Sequence, residues 1–173
     1  MSSESGFVPE NQILDASSIT KMIRRMAFEI YEDHFEDKRL VLAGIAPQGF
    51  LLAKQLLAVL QDISPLELEL LEVELEKTNA IQPEVALKPN TQLADAAVVL
   101  VDDVLNTAKT TVFALAPFLA AGVKSIRTAI LVDRSHHLFP VASNYRGYAL
   151  STTINQTIRV DLEDVEKQAV YLF

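Results

Sequence analysis

Residues 98–110, VVLVDDVLNTAKT, combine several residue types that can bind a ligand. Four aliphatic residues run into two adjacent carboxylates, Asp102 and Asp103, and a polar segment at residues 106–110 follows. Carboxylates accept hydrogen bonds from sugar hydroxyls or bind hydrated Mg²⁺, whereas threonine hydroxyls, a lysine ammonium group and free backbone amides suit a phosphate. The pattern therefore predicts a site for a phosphorylated sugar.

Two predicted elements must position these residues. AAVVLVDD is typical of a buried strand, and TTVFALAPFLAAGV is typical of a helix that ends at Gly122. In an open parallel sheet, ligands bind at the carboxyl ends of strands, and the start of a following helix offers unpaired amides to an anion. We expect residues 106–110 to lie at such a junction.

The rest of the chain predicts the same alternation. Helices are predicted from Asp15, Ser17 or Ser18 to about His34 and over FLLAKQLLAVLQDI, with buried strands at RLVLAGIA and SIRTAILVDR. This rhythm predicts an α/β fold with a parallel sheet covered on both faces. LELELLEVELE predicts an edge or half-solvated strand with a bulge at Leu70-Leu71, and residues 78–95 predict a long loop or hairpin. Short strands are predicted in YRGYAL, TTINQTIRVDL and QAVYLF.

Length and composition limit the number of domains and the classes of function that the chain can have. The 173 residues, 50% of them hydrophobic, fit a flexible tail at residues 1–12 and a single domain at residues 13–173. The chain has no Cys, so disulfides and thiolate chemistry are excluded. No apolar run is long enough for a membrane span, which predicts a cytoplasmic protein without membrane partners. A net charge of -8 makes RNA an unlikely partner unless basic residues cluster locally.

Residues 98–110 resemble the phosphoribosyl diphosphate (PRPP) signature of type I phosphoribosyltransferases. Other stretches resemble the pyrimidine-regulatory, uracil-converting branch of that family: ILDASSITKMIRRMAFEI, LAGIAPQGFLLAKQL and ILVDRSHHLFPVASNYRG. The resemblance implies a central parallel sheet flanked by helices, with a small hood formed by terminal segments and a long flexible loop. It further implies a homodimer that uses Mg²⁺ and transfers ribose 5-phosphate from PRPP to a nucleobase, with uracil favoured, releasing pyrophosphate.

The resemblance also assigns roles to four groups of residues. Asp102 and Asp103 would hold the ribose hydroxyls, directly or through Mg²⁺. The other three groups are a phosphate loop for the 5-phosphate (Asn106, Thr107, Ala108, Lys109 and Thr110), a pyrophosphate loop (Ala46, Pro47, Gln48 and Gly49) and a base-side segment (Asp133, Arg134, Ser135 and His136).

The chain departs from the family pattern at several positions. Gln48 stands where the pyrophosphate loop usually has a basic residue, and residues 78–95 offer only Lys88 where the mobile loop usually brings an Arg. Ala108 replaces the usual Gly, which is tolerable at a negative φ. Proline lowers the cost of a cis bond, so we predict a cis peptide at Ala46-Pro47.

The resemblance and these departures leave three alternative functions of different classes. The first is an active phosphoribosyltransferase. The second is a catalytically weakened relative that senses PRPP or a nucleotide, which the missing cations favour. The third is an RNA-binding attenuator, which the acidic balance disfavours. For His136 and the adjacent His137, a surface or base-pocket role is favoured over metal binding, because neighbouring residues of a strand point to opposite faces.

Overall fold

The computed structural model describes residues 9–76 and 83–173, so most of the predicted tail lies outside the described residues. Three helices are present in them, α1 (Ala16–His34), α2 (Gln48–Ile63) and α3 (Lys109–Ala120). The strands are β1 (Gln12–Leu14), β2 (Arg39–Ile45), β3 (Glu67–Leu75), β4 (Val85–Lys88), β5 (Ala97–Leu105), β6 (Ser125–Asp133), β7 (Tyr145–Ala149), β8 (Ile158–Asp161) and β9 (Ala169–Leu172). In this part of the chain, no helix has the length and apolar content of a membrane span.

A six-stranded sheet forms the centre of the domain, in the order β4-β3-β2-β5-β6-β7. All pairings are parallel except the one between β3 and β4. Successive residues of β5 enter opposite cores: Val99 packs with residues of α1 and α2, whereas Val98 packs with residues of α3. The predicted parallel sheet with both faces covered is therefore confirmed.

The slip in the alternation of β3 is accommodated without the predicted bulge. The pairing of β3 with β2 is continuous from Arg39–Glu67 to Ile45–Val73. Leu70 packs against the core on the side of α1 and α2, whereas the next residue, Leu71, is buried in the core on the side of α3. Because both faces are covered, the apolar row changes face at this point while the backbone stays regular. β3 also lies inside the sheet, since β4 pairs with its last four residues.

The ends of the helices follow the predicted signals. Asp15 caps α1 and accepts a hydrogen bond from the Ser18 amide at 2.8 Å. Gly122 follows α3 with a φ of 69°, a conformation that favours glycine. Residues 78–95 include the hairpin strand β4, while residues 77–82 are outside the described ranges.

A second sheet joins the two ends of the described chain, in the order β1-β9-β8, and we refer to it as the hood. Gln12, within the predicted tail, pairs with Tyr171 of β9. The buried Gln168 attaches this sheet to the helices, because its side chain bonds Gln55 of α2 at 2.9 Å and Thr20 of α1 at 3.2 Å. The terminal segments thus form one unit that packs on the main domain.

Candidate functional site

The predicted ligand-binding segments meet at the carboxyl ends of three adjacent strands. In the sheet, Gly44 of β2 lies beside Val101 of β5, and Leu105 at the end of β5 lies beside Asp133 at the end of β6. β5 continues two residues past the predicted end at Asp103, because its pairing with β6 extends to Leu105. Both acids are therefore strand residues, held more rigidly than the start of a loop.

Asp102 is almost completely buried, with 8% of its surface exposed, whereas Asp103 is half-buried. Burial raises the pKa of Asp102 well above its ordinary value, and the negative charge of Asp103 raises it further. Its Oδ1 accepts the Asp103 amide hydrogen at 2.9 Å. A bound cation or hydroxyl donor would compensate the cost of ionising this carboxyl group.

Gly49 places the pyrophosphate loop directly against the acidic strand. A Cβ atom at this position would lie 2.7 Å from the Val101 carbonyl oxygen and 3.2 Å from Asp102 Oδ1. Gly44 is confined in the same way, because its Cβ would lie 2.5 Å from the Phe50 Cα atom. The first turn of α2 can approach β2 at Gly44 and β5 at Gly49 this closely only because both positions lack side chains.

The phosphate loop encloses a cavity of about 70 Å³. Its lining includes Asp102 and all five predicted phosphate-loop residues. The hydrogen-bond ladder of α3 starts with the Val112 amide bonding the Ala108 carbonyl at 3.0 Å, so the amides of residues 109–111 precede it. The Thr107 hydroxyl accepts from the Lys109 amide at 3.3 Å. Carboxylate, hydroxyl and amide groups therefore converge on one small cavity, which is suitable for an anionic ester next to a polyol.

Ala108 adopts the left-handed conformation, with a φ of 70° and a ψ of 6°. Ala at this position would be unstrained only at a negative φ, and the structure does not meet this condition. Ala108 is 4% exposed and packs with Leu105 and Ile130, and this apolar contact offsets part of the backbone strain. The loop therefore has the backbone shape that glycine permits, without the glycine.

The pyrophosphate loop contains the predicted cis peptide bond at Ala46-Pro47. Gln48 begins α2, and its Oε1 accepts the Leu162 amide hydrogen at 2.9 Å. Leu162 directly follows β8 of the hood and is buried. Because the oxygen of the carboxamide is used in this contact, its NH₂ group is the part that remains for a ligand.

Asp133 is buried beneath the base-side segment, and its carboxylate is occupied by protein donors. Oδ1 accepts from the Ser135 amide and from His137 Nε2, both at 2.9 Å, and Oδ2 accepts from the Ser143 hydroxyl at 2.7 Å. Burial raises the pKa of Asp133, but the hydrogen bonds from Ser143, Ser135 and His137 outweigh it, so the pKa is lowered overall. Asp133 therefore acts as an ionised anchor for the loop that follows β6.

Arg134 and His136 both contact the segment that follows β7. Arg134 Nε donates to the buried Thr152 hydroxyl at 2.8 Å, and His136 Nε2 contacts the Thr152 carbonyl oxygen at 2.6 Å. Ser135 has a positive φ of 59° and is exposed. The two histidines lie in a loop beyond β6 and reach different partners, and within the described ranges no cluster of three potential metal ligands occurs.

Sequence reasoning missed three residues that support the site. Ser143, Thr152 and Leu162 hold Asp133, Arg134 and Gln48 respectively. Ser143 and Thr152 lie in irregular segments, where hydrophobic periodicity gives no signal, and Leu162 acts through its backbone amide, which any residue except proline supplies.

With this geometry established, comparison with known proteins identifies the class. The model of the phosphoribosyl transferase domain matches residues 9–166, so the chain belongs to this family. The chain is 28% identical to the bifunctional protein PyrR of Leuconostoc mesenteroides, with 94% of this chain and 98% of that protein covered. It is 32% identical to the bifunctional protein PyrR of Deinococcus radiodurans, with 91% of each chain covered.

Solved structures show the same fold. The hypoxanthine-guanine phosphoribosyltransferase of Bacillus anthracis superimposes with a TM-score of 0.77 at 13% identity, over 95% of this chain and 98% of that one. The hypoxanthine phosphoribosyltransferase of Trypanosoma cruzi gives a TM-score of 0.77 at 16% identity, over 94% of this chain and 96% of that one. The predicted type I phosphoribosyltransferase fold is thereby confirmed.

Proposed function

We propose that this protein transfers ribose 5-phosphate from PRPP to a nucleobase and releases pyrophosphate. The observation that carries the proposal is the cavity at the end of β5, where the buried Asp102 and the first amides of α3 lie together. Family membership supports the reaction class. The packing of Gly49 against Asp102 supports a second anion-facing loop beside the first.

In this proposal each group of residues has one task. The phosphate loop binds the 5-phosphate through backbone amides, the Thr107 and Thr110 hydroxyls and Lys109. Asp102 and Asp103 hold the ribose hydroxyls, the loop at residues 46–49 receives pyrophosphate, and residues 133–136 line the base side. As the bond to pyrophosphate breaks, the ribose gains positive charge, so the protein contributes chiefly by fixing orientation and supplying oriented charges and dipoles.

The donor set at the end of β5 also fits Mg²⁺. This ion keeps several waters and binds through one or two carboxylates together with substrate phosphates, and Asp102 and Asp103 supply that number of carboxylates. A neighbouring cation would favour the ionised form of Asp102, whose pKa is raised by burial. When bound, Mg²⁺ would neutralise charge on the phosphates.

We propose a uracil-like base as the acceptor. The support is the similarity to the PyrR proteins over more than nine-tenths of the chain. Asp133 does not decide this choice, because its carboxylate already accepts three hydrogen bonds from the protein. Base recognition then rests on backbone groups and on His136, and the base specificity is measurable with a panel of pyrimidines and purines.

A catalytically weakened PRPP or nucleotide sensor is the second candidate. The observation that favours it is Gln48, a neutral side chain whose oxygen bonds the hood. A neutral donor stabilises departing pyrophosphate less than a cation, since charge-assisted hydrogen bonds are roughly twice as strong as neutral ones. Binding of PRPP would persist in such a protein, whereas turnover would be slow.

One pair of measurements separates the two candidates. Pyrophosphate release from PRPP is followed with Mg²⁺ and each base, and PRPP and nucleoside monophosphate binding are measured by calorimetry on the same preparation. Release with one base supports the transferase. Binding without release supports the sensor, and the absence of both contradicts the placement of the site.

We further propose that the protein is a homodimer, which the family resemblance supports. Sedimentation equilibrium of the purified full chain would give twice the 19.1 kDa mass of one chain. A monomer at assay concentrations would contradict this part of the proposal without affecting the assignment of the ligand-binding residues.

A further inference from the structure

Arg134 connects the phosphate loop to the segment that follows β7. Its guanidinium group donates to Asn106 Oδ1 at 2.7 Å, to the Thr152 hydroxyl at 2.8 Å and to the Gln156 carbonyl oxygen at 2.7 Å. A fourth, longer contact reaches the Thr153 carbonyl oxygen at 3.3 Å. Its backbone amide also bonds the Leu105 carbonyl at 3.1 Å, so both ends of the residue are held.

This contact sets the orientation of the Asn106 side chain. Arginine has only hydrogen-bond donors, so the Asn106 atom that faces Arg134 must be the carboxamide oxygen. The NH₂ group of Asn106 is then the end left for a ligand, and Asn106 lines the cavity of the phosphate loop. The Asn106 carboxamide can both donate and accept hydrogen bonds. Because Arg134 occupies its oxygen, Asn106 presents a donor to the ligand, and phosphate and ribose oxygens require a donor.

The same guanidinium group orders residues 152–156. The Thr152 hydroxyl is buried, and the Thr153 amide bonds the Gln156 side chain at 2.8 Å to close a turn. Two backbone carbonyls of this turn point at Arg134. The guanidinium group uses three separate nitrogens for these partners, whereas an ammonium group has all its donors on one nitrogen and cannot reach them together.

We propose that Arg134 is a positioning residue that couples the phosphate loop to residues 152–156, rather than a ligand of the base. The proposal rests on the proposed PRPP site and adds a link between that site and the segment leading to the hood. Ordering of the phosphate loop by a ligand then also orders residues 152–156, through Asn106 and Arg134.

Hydrogen exchange of the unliganded protein tests the coupling without any ligand. Arg134→Lys should make the Lys109 and Leu138 amides, which bond Thr107, and the Thr153 and Gln156 amides exchange about tenfold faster, as expected for the loss of one hydrogen bond. Arg127→Lys is the matched control, because Arg127 pairs with Asp33 and contacts neither segment through its side chain. Unchanged exchange at the Lys109 and Leu138 amides in Arg134→Lys would overturn the proposal.

Thr152→Val provides a second variant of similar shape if Arg134→Lys does not fold. It removes only the hydroxyl that accepts from Arg134 Nε. Exchange at the Lys109 and Leu138 amides, on the far side of Arg134, should rise severalfold in this variant. A change confined to residues 152–157 would show that the two segments are independent, and the coupling would then be rejected.

A double-variant cycle, measured by calorimetry with PRPP and Mg²⁺, separates coupling through Asn106 from a general loss of structure, because only the coupling makes the two losses non-additive. The Kd for PRPP should rise about tenfold in Arg134→Lys, and the double variant with Asn106→Ala should bind no more weakly than the weaker single variant. Fully additive losses would overturn the coupling. If the unmodified protein itself failed to bind PRPP, the proposed function would fall, whereas the exchange data would still decide the role of Arg134.

Discussion

The phosphate loop and the pyrophosphate loop both connect a strand to a helix, but the first carries hydroxyl and ammonium groups and the second is mostly apolar and uncharged. Each follows a parallel strand and leads into a helix, α3 in one case and α2 in the other. The phosphate loop keeps Thr107, Lys109 and Thr110 exposed around a small cavity. The pyrophosphate loop consists of an apolar pair, a neutral Gln48 bonded to the hood and a Gly49 packed on Asp102.

This difference places substrate binding and leaving-group stabilisation in two different loops of the proposed site. In the proposed function, binding of the sugar phosphate depends on the phosphate loop, where the donors are present. Stabilisation of departing pyrophosphate is assigned in the same proposal to the other loop, where no cation is supplied by residues 46–49. If the proposed roles hold, affinity for PRPP and the rate of transfer should change independently in variants of the two loops.

Gly49→Ala should give the largest effect, because it inserts a methyl group between the two regions. The new Cβ would lie 2.7 Å from the Val101 carbonyl oxygen and 3.0 Å from the Asp102 Cα, both backbone atoms that cannot rotate away. We expect the free energy of unfolding to fall by about 3 kcal/mol and PRPP binding to be lost. Urea unfolding and calorimetry measure the two quantities.

Gly122→Ala is the control for this variant. Gly122 has a φ of 69° but no atom of the described residues within 4 Å of its added Cβ, so only backbone strain of about 1 kcal/mol is expected. If Gly122→Ala destabilised the protein more than Gly49→Ala, the close packing of the pyrophosphate loop on β5 would be contradicted.

Asp102→Asn should have the next largest effect. It should weaken PRPP binding but raise the stability of the unliganded protein at neutral pH. Loss of the carboxylate should weaken PRPP binding by about 1 to 3 kcal/mol for each lost bond. Because the pKa of Asp102 is raised in the folded protein, the folded state holds its proton more tightly than the unfolded state. Stability from this group is therefore complete below the ordinary pKa of 3.8 and declines as the pH rises towards the raised value.

Thermal unfolding from pH 4 to pH 8 tests this sign. The unliganded Asp102→Asn variant should lack this decline and be more stable than the unmodified protein at neutral pH. Asp103→Asn should keep a smaller decline, because burial of Asp102, the main cause of its raised pKa, remains. A decline of the same size in Asp102→Asn would mean that another group causes it.

Gln48→Arg should sharpen the comparison by restoring a cation to the pyrophosphate loop. A charge-assisted bond to pyrophosphate in place of a neutral one should raise kcat/KM for PRPP about tenfold. The Leu162 amide loses its acceptor, so the free energy of unfolding should fall by about 1 kcal/mol. Steady-state kinetics of pyrophosphate release and urea unfolding give the two values.

Gln61→Arg is the matched control, since it adds the same charge at an exposed position near the end of α2. An equal gain in both variants would assign the effect to the overall charge of the chain. The absence of any gain in Gln48→Arg would show that a missing cation does not limit transfer, and the sensor candidate would lose its physical basis.

Much of the fold was predictable because local patterns decide it. Buried strands such as AAVVLVDD, the Asp15 cap and the Gly122 stop each depend on a few consecutive residues, and the structure confirms them. The cis bond at Ala46-Pro47 was predictable for the same reason. Placement of the acids at the carboxyl edge followed from the rule for parallel sheets.

The remaining features depend on residues that are distant in sequence. β5 extends past Asp103 because β6 pairs with it to Asp133, and the bulge in β3 is absent because cores cover both of its faces. The bond from Leu162 to Gln48 joins residues 114 positions apart. Neither composition nor periodicity gives a signal for these contacts, so they could not be predicted from the sequence alone.

Ala108→Gly should have the smallest effect, and it tests whether the phosphate loop is as intact as the comparison requires. At a φ of 70°, replacing Ala by Gly removes strain of about 1 kcal/mol. The variant also loses a buried methyl group worth about 0.8 kcal/mol and gains freedom in the unfolded chain. These terms nearly cancel, so the free energy of unfolding should stay within about 0.5 kcal/mol of the original value.

The Kd for PRPP should likewise be unchanged in Ala108→Gly, because the loop already has the backbone shape that glycine would allow. Ala108→Val is the opposing control: a branched side chain at positive φ should destabilise the protein by about 2 kcal/mol. Calorimetry with PRPP decides the point. A tenfold gain in affinity on introducing Gly would mean that Ala108 weakens the phosphate loop, and both anion-facing loops would then be impaired rather than one.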